Sequence, residues 1–272
     1  MKLIRIASGE SRDEWAKFTG AIGPGPTPEL MLAKQEAGDW VALGTAGGAR
    51  VVIKHRRLHG LFDVARTWFG LGRLARQWRG AATLTRLGLV TPRPLALGVS
   101  RTAEVLVMEH AGGESLLKLM AGQTTRPHAV RDEHRIAERL GEAIARLTAL
   151  GWFNRDFKPS NILIADPIED PVVVQIDTVG IRRTQSRTGL YRPRGGRRGA
   201  PRRMLASLYM EPLGCGFPPR RALLMRGLTA YTNSALVGIT PDLIRAARHS
   251  IWRLLDEEIA RHGDPTPRTP PI

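Results

Sequence analysis

The sequence predicts an α+β protein with two lobes, a small β-rich N-lobe and a mainly helical C-lobe. Three observations indicate this class. Most β-rich runs lie in the first 108 residues, the glycine pair Gly112-Gly113 follows them, and long amphipathic helical patterns dominate the rest. With 272 residues, of which 42% are hydrophobic, the chain is long enough to bury a core in each lobe.

The N-lobe is predicted to span residues 1–108. WVALGTAGGARVVIK (40–54) reads as a hairpin around Gly47-Gly48, with strands near 40–43 and 50–54. LGRLARQWRGAATLTRLG (71–88) has apolar residues at steps of three and four, which predicts a helix capped by Gly88. ALGVSRTAEVLVMEHAGG (96–113) predicts two strands that run into a hinge at 109–114.

The C-lobe is predicted over 115–263. RDEHRIAERLGEAIARLTALG (131–151) is a helix with one apolar stripe, and NILIAD and VVVQID that follow it are short strands. Thr240 and Pro241 start a last helix over 241–262, with Gly263 beyond its end. Residues 264–272 are expected to form a flexible tail.

The charge balance favours polyanionic partners. There are 41 Lys and Arg against 25 Asp and Glu, a net charge of +16. Nine of the arginines fall between 182 and 203 without an acidic residue, a block that is either a solvated loop or a docking surface for the acceptor or the membrane. Because Tyr191 is the only aromatic residue in the block, nucleic acid is an unlikely partner.

The sequence contains neither a secretory signal nor an apolar run of the ~20 residues that span a bilayer. We therefore expect a cytoplasmic protein, with a peripheral contact at the cytoplasmic face of the inner membrane. LFDVARTWFGLGRL (61–74) mixes aromatic and basic residues and would either lie on an anionic membrane or pack against the N-lobe, which is the favoured interpretation. The sequence does not indicate an oligomeric state.

The segment GWFNRDFKPSNILI (151–164) carries the chemistry. Phosphoryl transfer needs a carboxylate that accepts the proton of the attacking hydroxyl, oxygen ligands for Mg²⁺ and cations on the phosphates. Asp156 suits the first role, Asn161 and Asp177 the second, and Lys158 the steadying of the transferring group. Asp156 and Asn161 have the five-residue spacing of a kinase catalytic loop.

Other residues are predicted to hold the nucleotide. Lys54, at the end of VVIK, would anchor the non-transferring phosphates. Main-chain groups of Glu109 and Ala111 would meet adenine, and Glu114 would reach the ribose.

GWFNRDFKPSNILI followed by VVVQIDTVGIRR resembles the protein-kinase-like fold. Together with GLGRLARQWRGAATLTRLGLVTPRPLALG, it is most similar to the bacterial lipopolysaccharide core kinases, which phosphorylate Kdo or heptose. The resemblance covers roughly residues 40–185. It implies ATP and Mg²⁺ as cofactors, and an anionic glycolipid or phosphorylated sugar as acceptor.

The sequence departs from this family at three places. Asn154 replaces the usual His, and it can still bond the backbone. Gln77 replaces a Glu and leaves Lys54 without that charged partner, which puts activity in doubt. No GxGxxG precedes Lys54, and EAGD (36–39) is the candidate phosphate-covering loop. A Ser/Thr protein kinase and a catalytically weak pseudokinase that binds ATP or a partner therefore stay open as alternatives.

Overall fold

The computed structural model describes residues 2–23, 25–26, 29–124, 129–165, 170–183, 200–217 and 219–235, with scattered positions between 242 and 260. The chain divides into two compact units, Met1–Ala111 and Gly112–Ile272. The first unit is rich in strands and the second is mainly helical, as the sequence predicts. The basic block between 184 and 199, the end of the predicted C-lobe and the tail at 264–272 lie outside the described residues.

The first unit is built on an antiparallel sheet of six strands in the order β1-β5-β6-β4-β3-β2. The strands are β1 (Lys2–Ile6), β2 (Met31–Glu36), β3 (Asp39–Ala46), β4 (Ala49–Arg57), β5 (Pro94–Val99) and β6 (Ala103–Glu109). The predicted hairpin is confirmed, since Gly47 and Gly48 join β3 to β4 with φ of 57° and 78°. Only glycine adopts two such angles in succession at low cost.

Helices cover both faces of this sheet. Helix α1 (Arg12–Ala21) brings Trp15 into a core with Trp40 and Ile53 on one face. On the other face, α3 (Arg73–Arg86) packs Leu74 and Trp78 against β5 and β6 in a second core. The two cores draw on alternate residues of the strands, because successive side chains of a strand point to opposite faces.

Glu104 fixes where α3 begins. Its buried carboxylate accepts the backbone N–H groups of Leu74 (3.0 Å) and Ala75 (2.9 Å), and Gly72 must lack a side chain because a Cβ there would lie 2.4 Å from that carboxylate. Free N–H groups at a helix start attract a negative charge. The predicted helix at 71–88 is therefore confirmed, but it starts two residues later.

The favoured packing of segment 61–74 against the N-lobe holds for Leu74, which is buried, and is wrong for most of the apolar side chains before it. Residues 60–68 form α2 (Gly60–Trp68), and Leu61, Phe62 and Phe69 are exposed. The reason is that α2 turns a polar side towards the sheet, where Asp63 binds Arg56 and Thr67 is buried.

The second unit contains α4 (Leu116–Met120), α5 (Val130–Ala149), α6 (Ala200–Gly214) and α7 (Arg221–Ala235). Its strands are short: β7 (Glu114–Ser115), β8 (Trp152–Asn154), β9 (Ile162–Ala165), β10 (Val172–Gln175) and β11 (Ile181–Arg183). The helix predicted at 131–151 and the two strands after it are thus confirmed. Positions 242, 245, 249, 252 and 256 of the predicted last helix are helical, and the residues between them are only partly described.

Helices α5 and α7 approach each other at a pair of glycines. A Cβ on Gly141 would lie 2.1 Å from the carbonyl oxygen of Gly227, and one on Gly227 would lie 3.1 Å from the carbonyl oxygen of Ala137. The backbones therefore meet without intervening side chains. Within the described ranges, no helix is long and apolar enough to cross a membrane.

Candidate active site

Two connecting segments of the second unit carry the predicted catalytic residues side by side. Strand β8 pairs with β11, and β9 pairs with β10, both antiparallel. The segment from β8 to β9 holds Asp156, Lys158 and Asn161, and the segment from β10 to β11 holds Asp177. Because both ends of each segment are fixed by strand pairing, the structure brings these four residues into one loop region.

Asn154 fixes the start of this region. It is buried, its Oδ1 accepts the backbone N–H of Asp156 at 3.0 Å, and its Nδ2 donates to Oε1 of Gln175 at 3.1 Å. The expectation that Asn can bond the backbone in place of His is confirmed. The loop geometry therefore does not need an imidazole at this position.

The carboxylate of Asp156 lies against Gly180. Its Oδ2 would be 2.7 Å from a Cβ on Gly180, and the Gly180 carbonyl accepts the N–H of Arg155 at 3.0 Å. The guanidinium of Arg155 lies 3.3 Å from both carboxylate oxygens. Asp156 is thus held by its neighbours, and it remains partly exposed so that a substrate hydroxyl can reach it.

Asn161 is oriented by the same loop. Its Nδ2 donates to the carbonyl of Asp156 at 3.0 Å, so the amide nitrogen is engaged and Oδ1 is the atom suited to ligate a metal. Its own carbonyl accepts the N–H of Ile176 at 3.0 Å, which places the backbone before Asp177 beside it. Asp177 Oδ1 accepts the N–H of Val179 at 3.2 Å.

This donor set fits Mg²⁺ that is shared with phosphates. One carboxylate and one amide oxygen are hard ligands, and Mg²⁺ is usually held by one or two carboxylates plus substrate phosphates. Over the described ranges, no cluster of three or more His, Cys, Asp or Glu residues could hold a metal by itself.

Lys158 has a partner that the sequence analysis missed. Its Nζ lies 2.8 Å from Oε1 of Glu211 on α6, and Glu211 also accepts the N–H of Ser160 at 2.7 Å and its hydroxyl at 2.6 Å. Glu211 therefore ties the loop to helix α6, whose first turn contains the last arginines of the basic block. No spacing rule connects residues more than 50 positions apart, so the sequence offered no signal for this contact.

In the first unit, Lys54 and Gln77 lie on the same face of the sheet. Lys54 pairs with Leu106 and Val52 with Met108, so these four side chains share a face, and Leu106 and Met108 pack on α3. Gln77 on α3 is buried and its Nε2 donates to Sδ of Met108 at 3.4 Å. Gln77 therefore lies over the same face of the sheet as Lys54, and its predicted place and role as the partner of Lys54 stay a prediction.

The predicted nucleotide contacts at 109–114 are divided between the units. Glu109 N–H donates to the Arg93 carbonyl at 2.9 Å, and its carboxylate binds Arg93 Nε at 2.8 Å. Ala111 ends the first unit. Glu114 lies in β7 of the second unit, where its carboxylate accepts the hydroxyl of Thr124. The adenine and ribose contacts themselves stay predictions.

The candidate phosphate-covering segment EAGD is a tight hairpin turn. Ala37 and Gly38, with φ of 48° and 88°, join β2 to β3. The turn is closed by Asp39, whose Oδ1 accepts the N–H of Arg57 at 2.8 Å. A phosphate-covering role for it also stays a prediction.

Comparison with known proteins agrees with this architecture. A solved structure of WaaP in complex with acyl carrier protein superimposes with a TM-score of 0.62 at 15% identity, covering 97% of this chain and 100% of that chain. The fold class is therefore the predicted α+β protein-kinase-like fold. No curated protein matches the sequence significantly.

The sequence profile of the lipopolysaccharide kinase (Kdo/WaaP) family matches residues 54–189. The chain belongs to this family, and it is a kinase. The predicted resemblance is confirmed, and the matched range includes the loop at 151–164 and Asp177.

Proposed function

We propose that the chain transfers the γ-phosphoryl group of ATP to a sugar hydroxyl of a lipopolysaccharide-core-like glycolipid. The observation that carries this proposal is that Asn161 joins the two connecting segments. Its side-chain amide donates a hydrogen bond to the carbonyl of Asp156, and its backbone carbonyl accepts the N–H of Ile176, the residue before Asp177. One arrangement therefore supplies a proton acceptor, two metal ligands and a nearby lysine, which are the parts that phosphoryl transfer needs.

Each residue has a defined task. Asp156 accepts the proton of the sugar hydroxyl. The hydroxyl oxygen of the sugar forms a bond to the γ-phosphorus of ATP as the bond between that phosphorus and the departing ADP breaks. Lys158 steadies the transferring phosphoryl group, and its pairing with Glu211 at 2.8 Å holds it beside the loop. Asn161 and Asp177 hold Mg²⁺, which neutralises the phosphate charge when it is bound.

The remaining residues hold the nucleotide. Lys54 anchors the non-transferring phosphates, and Gln77 faces the same side of the sheet with a neutral amide in place of a carboxylate. Backbone groups of Glu109 and Ala111 meet the adenine ring, and Glu114 meets the ribose. The acceptor is an anionic glycolipid, which a chain of net charge +16 attracts. We place the reaction at the cytoplasmic face of the inner membrane.

The test is phosphate transfer from labelled ATP to a panel of Kdo- and heptose-containing acceptors. Asp156→Ala should lower turnover by about 10²–10⁴-fold, the scale of a positioned proton acceptor, and still bind nucleotide. Asp177→Ala should also lose Mg²⁺-dependent nucleotide binding. Asp170→Ala is the matched control, because this exposed carboxylate of the same unit binds Arg139 outside the loop.

Three outcomes would contradict the proposal. Full turnover of Asp156→Ala on a true acceptor would remove the assigned base. Transfer to Ser or Thr of a protein and to none of the sugars would favour the protein-kinase alternative. Nucleotide binding without transfer to any acceptor would favour the pseudokinase, for which the neutral Gln77 is the supporting observation.

A second candidate interaction is with acyl carrier protein, the partner in the matched WaaP structure. An apolar cavity of about 180 Å³ lies among α4, α5, α6 and α7 of this chain, with the ion pair Glu133–Arg220 in its wall. We propose that it receives an acyl chain.

Ala137→Leu, which fills the cavity, should abolish co-purification with acylated carrier protein, and Ala149→Leu on the exposed end of the same helix should not. Equal retention by both variants would contradict it.

A further inference from the structure

Helix α2 is amphipathic with its polar side inward. Asp63 Oδ1 and Oδ2 accept from Nη2 of Arg56 at 3.0 and 2.8 Å, and Oδ2 also accepts the N–H of His59 at 3.2 Å. Thr67, one turn later on the same side, is fully buried. Gly60 and Gly70, with φ of 74° and 70°, bound the helix. The ion pair of Asp63 with Arg56 therefore attaches the inward side of α2 to β4.

The outward side of this region is apolar and aromatic. We call it the aromatic surface, and it consists of Leu61, Phe62, Trp68, Phe69 and Leu71. Leu61 is 90%, Phe62 76% and Phe69 82% exposed. Among the residues that the structure describes, every exposed Phe or Trp belongs to it. Single exposed apolar residues are ordinary, whereas a contiguous group of this kind marks a surface that binds something.

Basic side chains border the aromatic surface. The guanidinium of Arg66 lies 5.7 Å from the ring of Phe62, and Nζ of Lys2 lies 5.4 Å from the ring of Trp68. Arg79 Nη1 donates to the carbonyl of Gly70 at 2.6 Å, and a guanidinium nitrogen of Arg5 is 3.9 Å from the Cβ position of the same glycine. Burial and the neighbouring charge of Arg5 lower the pKa of Arg79, so a nearby anion would stabilise this pair.

We propose that the aromatic surface and its four cations dock the first unit on an anionic lipid bilayer. Aromatic and aliphatic side chains beside Lys and Arg are the composition of segments that lie in the membrane interface. Each basic residue near an anionic surface strengthens binding by about fivefold. A second copy of the chain is a poorer occupant, because a twofold contact would bring the same four cations against each other.

This inference deepens the proposed function, since it assigns the surface through which a membrane glycolipid is approached. It rests on the proposed function only for the identity of the acceptor. Vesicle binding needs neither ATP nor acceptor, so the two proposals fail separately. Loss of phosphate transfer to a soluble sugar would count against the proposed function alone.

The test is binding of the full chain to vesicles of phosphatidylglycerol and phosphatidylethanolamine. Phe62→Ser/Phe69→Ser should weaken binding by about tenfold or more, because two exposed aromatic side chains lose their burial in the interface. The matched control is Met31→Ser/Val90→Ser, which removes two exposed apolar residues of the same unit that lie outside the aromatic surface. The control should bind like the unaltered chain, and the basic block 182–203 is unchanged in both variants.

A charge variant supplies the second arm. Lys2→Gln/Arg66→Gln should weaken binding by about 25-fold at low salt, from fivefold per charge, and the difference should shrink as salt shortens the Debye length. All variants should melt at the same temperature as the unaltered chain, because the replaced side chains are at the surface. Equal binding of the Phe62→Ser/Phe69→Ser variant, or equal binding to phosphatidylcholine vesicles, would overturn the proposal. So would a dimer that dissociates in this variant without any vesicle binding.

Discussion

Gly180→Ala should disable the proposed catalytic loop while leaving the fold intact. The added Cβ would lie 2.6 Å from Oδ1 of Asn154, 2.7 Å from Oδ2 of Asp156 and 2.9 Å from the N–H nitrogen of Asp156. To restore the 3.4 Å of ordinary contact, the carboxylate must move by about 0.7 Å. Asn154 cannot give way, because it is buried and bonded to Gln175 and to the loop backbone.

The displacement therefore falls on the backbone at residue 180, which must move away from Asn154, and on the Asp156 side chain in contact with it. A misplacement of about 1 Å at a reacting group can cost on the order of 10²-fold in rate, so turnover should drop to that extent. Overpacking should lower the free energy of unfolding by about 1–3 kcal/mol. Turnover is measured on an accepted sugar and unfolding by urea titration.

Gly214→Ala is the matched control for this change. No heavy atom lies within 4 Å of a Cβ at Gly214, and Ala is the better residue at this helix end, so activity should be unchanged. Full turnover of folded Gly180→Ala protein would refute the argument that Gly180 positions Asp156. An equal loss in the Gly214 variant would show that the assay responds to any glycine replacement.

Three further predictions follow from the same geometry. Gln77→Glu should leave turnover unchanged or raise it, because it offers Lys54 a charged partner on the shared face. A sharp drop in turnover with an unchanged circular dichroism spectrum would show that another acidic residue already pairs with Lys54. Glu211→Gln should lower kcat by about tenfold with an unchanged KM for ATP, since Lys158 loses a charge-assisted bond; an unchanged kcat would contradict its positioning role. Burial raises the pKa of Tyr231 to about 12, so above pH 10 the phenol ionises in the unfolded chain before it ionises in the folded one. The free energy of unfolding, measured by urea titration, should therefore fall by about 2–3 kcal/mol between pH 10 and 12. The same fall in the Tyr231→Phe variant would exclude this cause.

Local patterns carried most of what the sequence predicted. Features that depend on residues close together in the chain can be predicted from the pattern of one sequence. They include the hairpin at Gly47-Gly48, the helix at 131–151 and the spacing of Asp156 and Asn161. The assignment of Gln77 as the partner of Lys54 came from the family resemblance and stays a prediction.

Long-range contacts were out of reach. Glu211 and Gly180 matter because of side chains brought near by folding, and neither is marked by a spacing rule. The sequence showed that α2 is amphipathic. It did not show which side of the helix faces the core, because the pattern is the same whether the apolar side faces the core or the solvent. Asp63 binding Arg56 decides that direction.

The glycine contact between α5 and α7 has a consequence for the order in which the second unit is assembled. Helix α5 leaves the ribosome well before Gly227 is translated, and its apolar stripe has no helix of this pair to pack on until then. Because a Cβ at Gly141 would clash with the carbonyl of Gly227, the close contact of α5 with α7 forms only where Gly141 meets the backbone of α7. Folding of this unit is thus delayed until α7 has been made, and the apolar stripe of α5 lacks this partner during that interval.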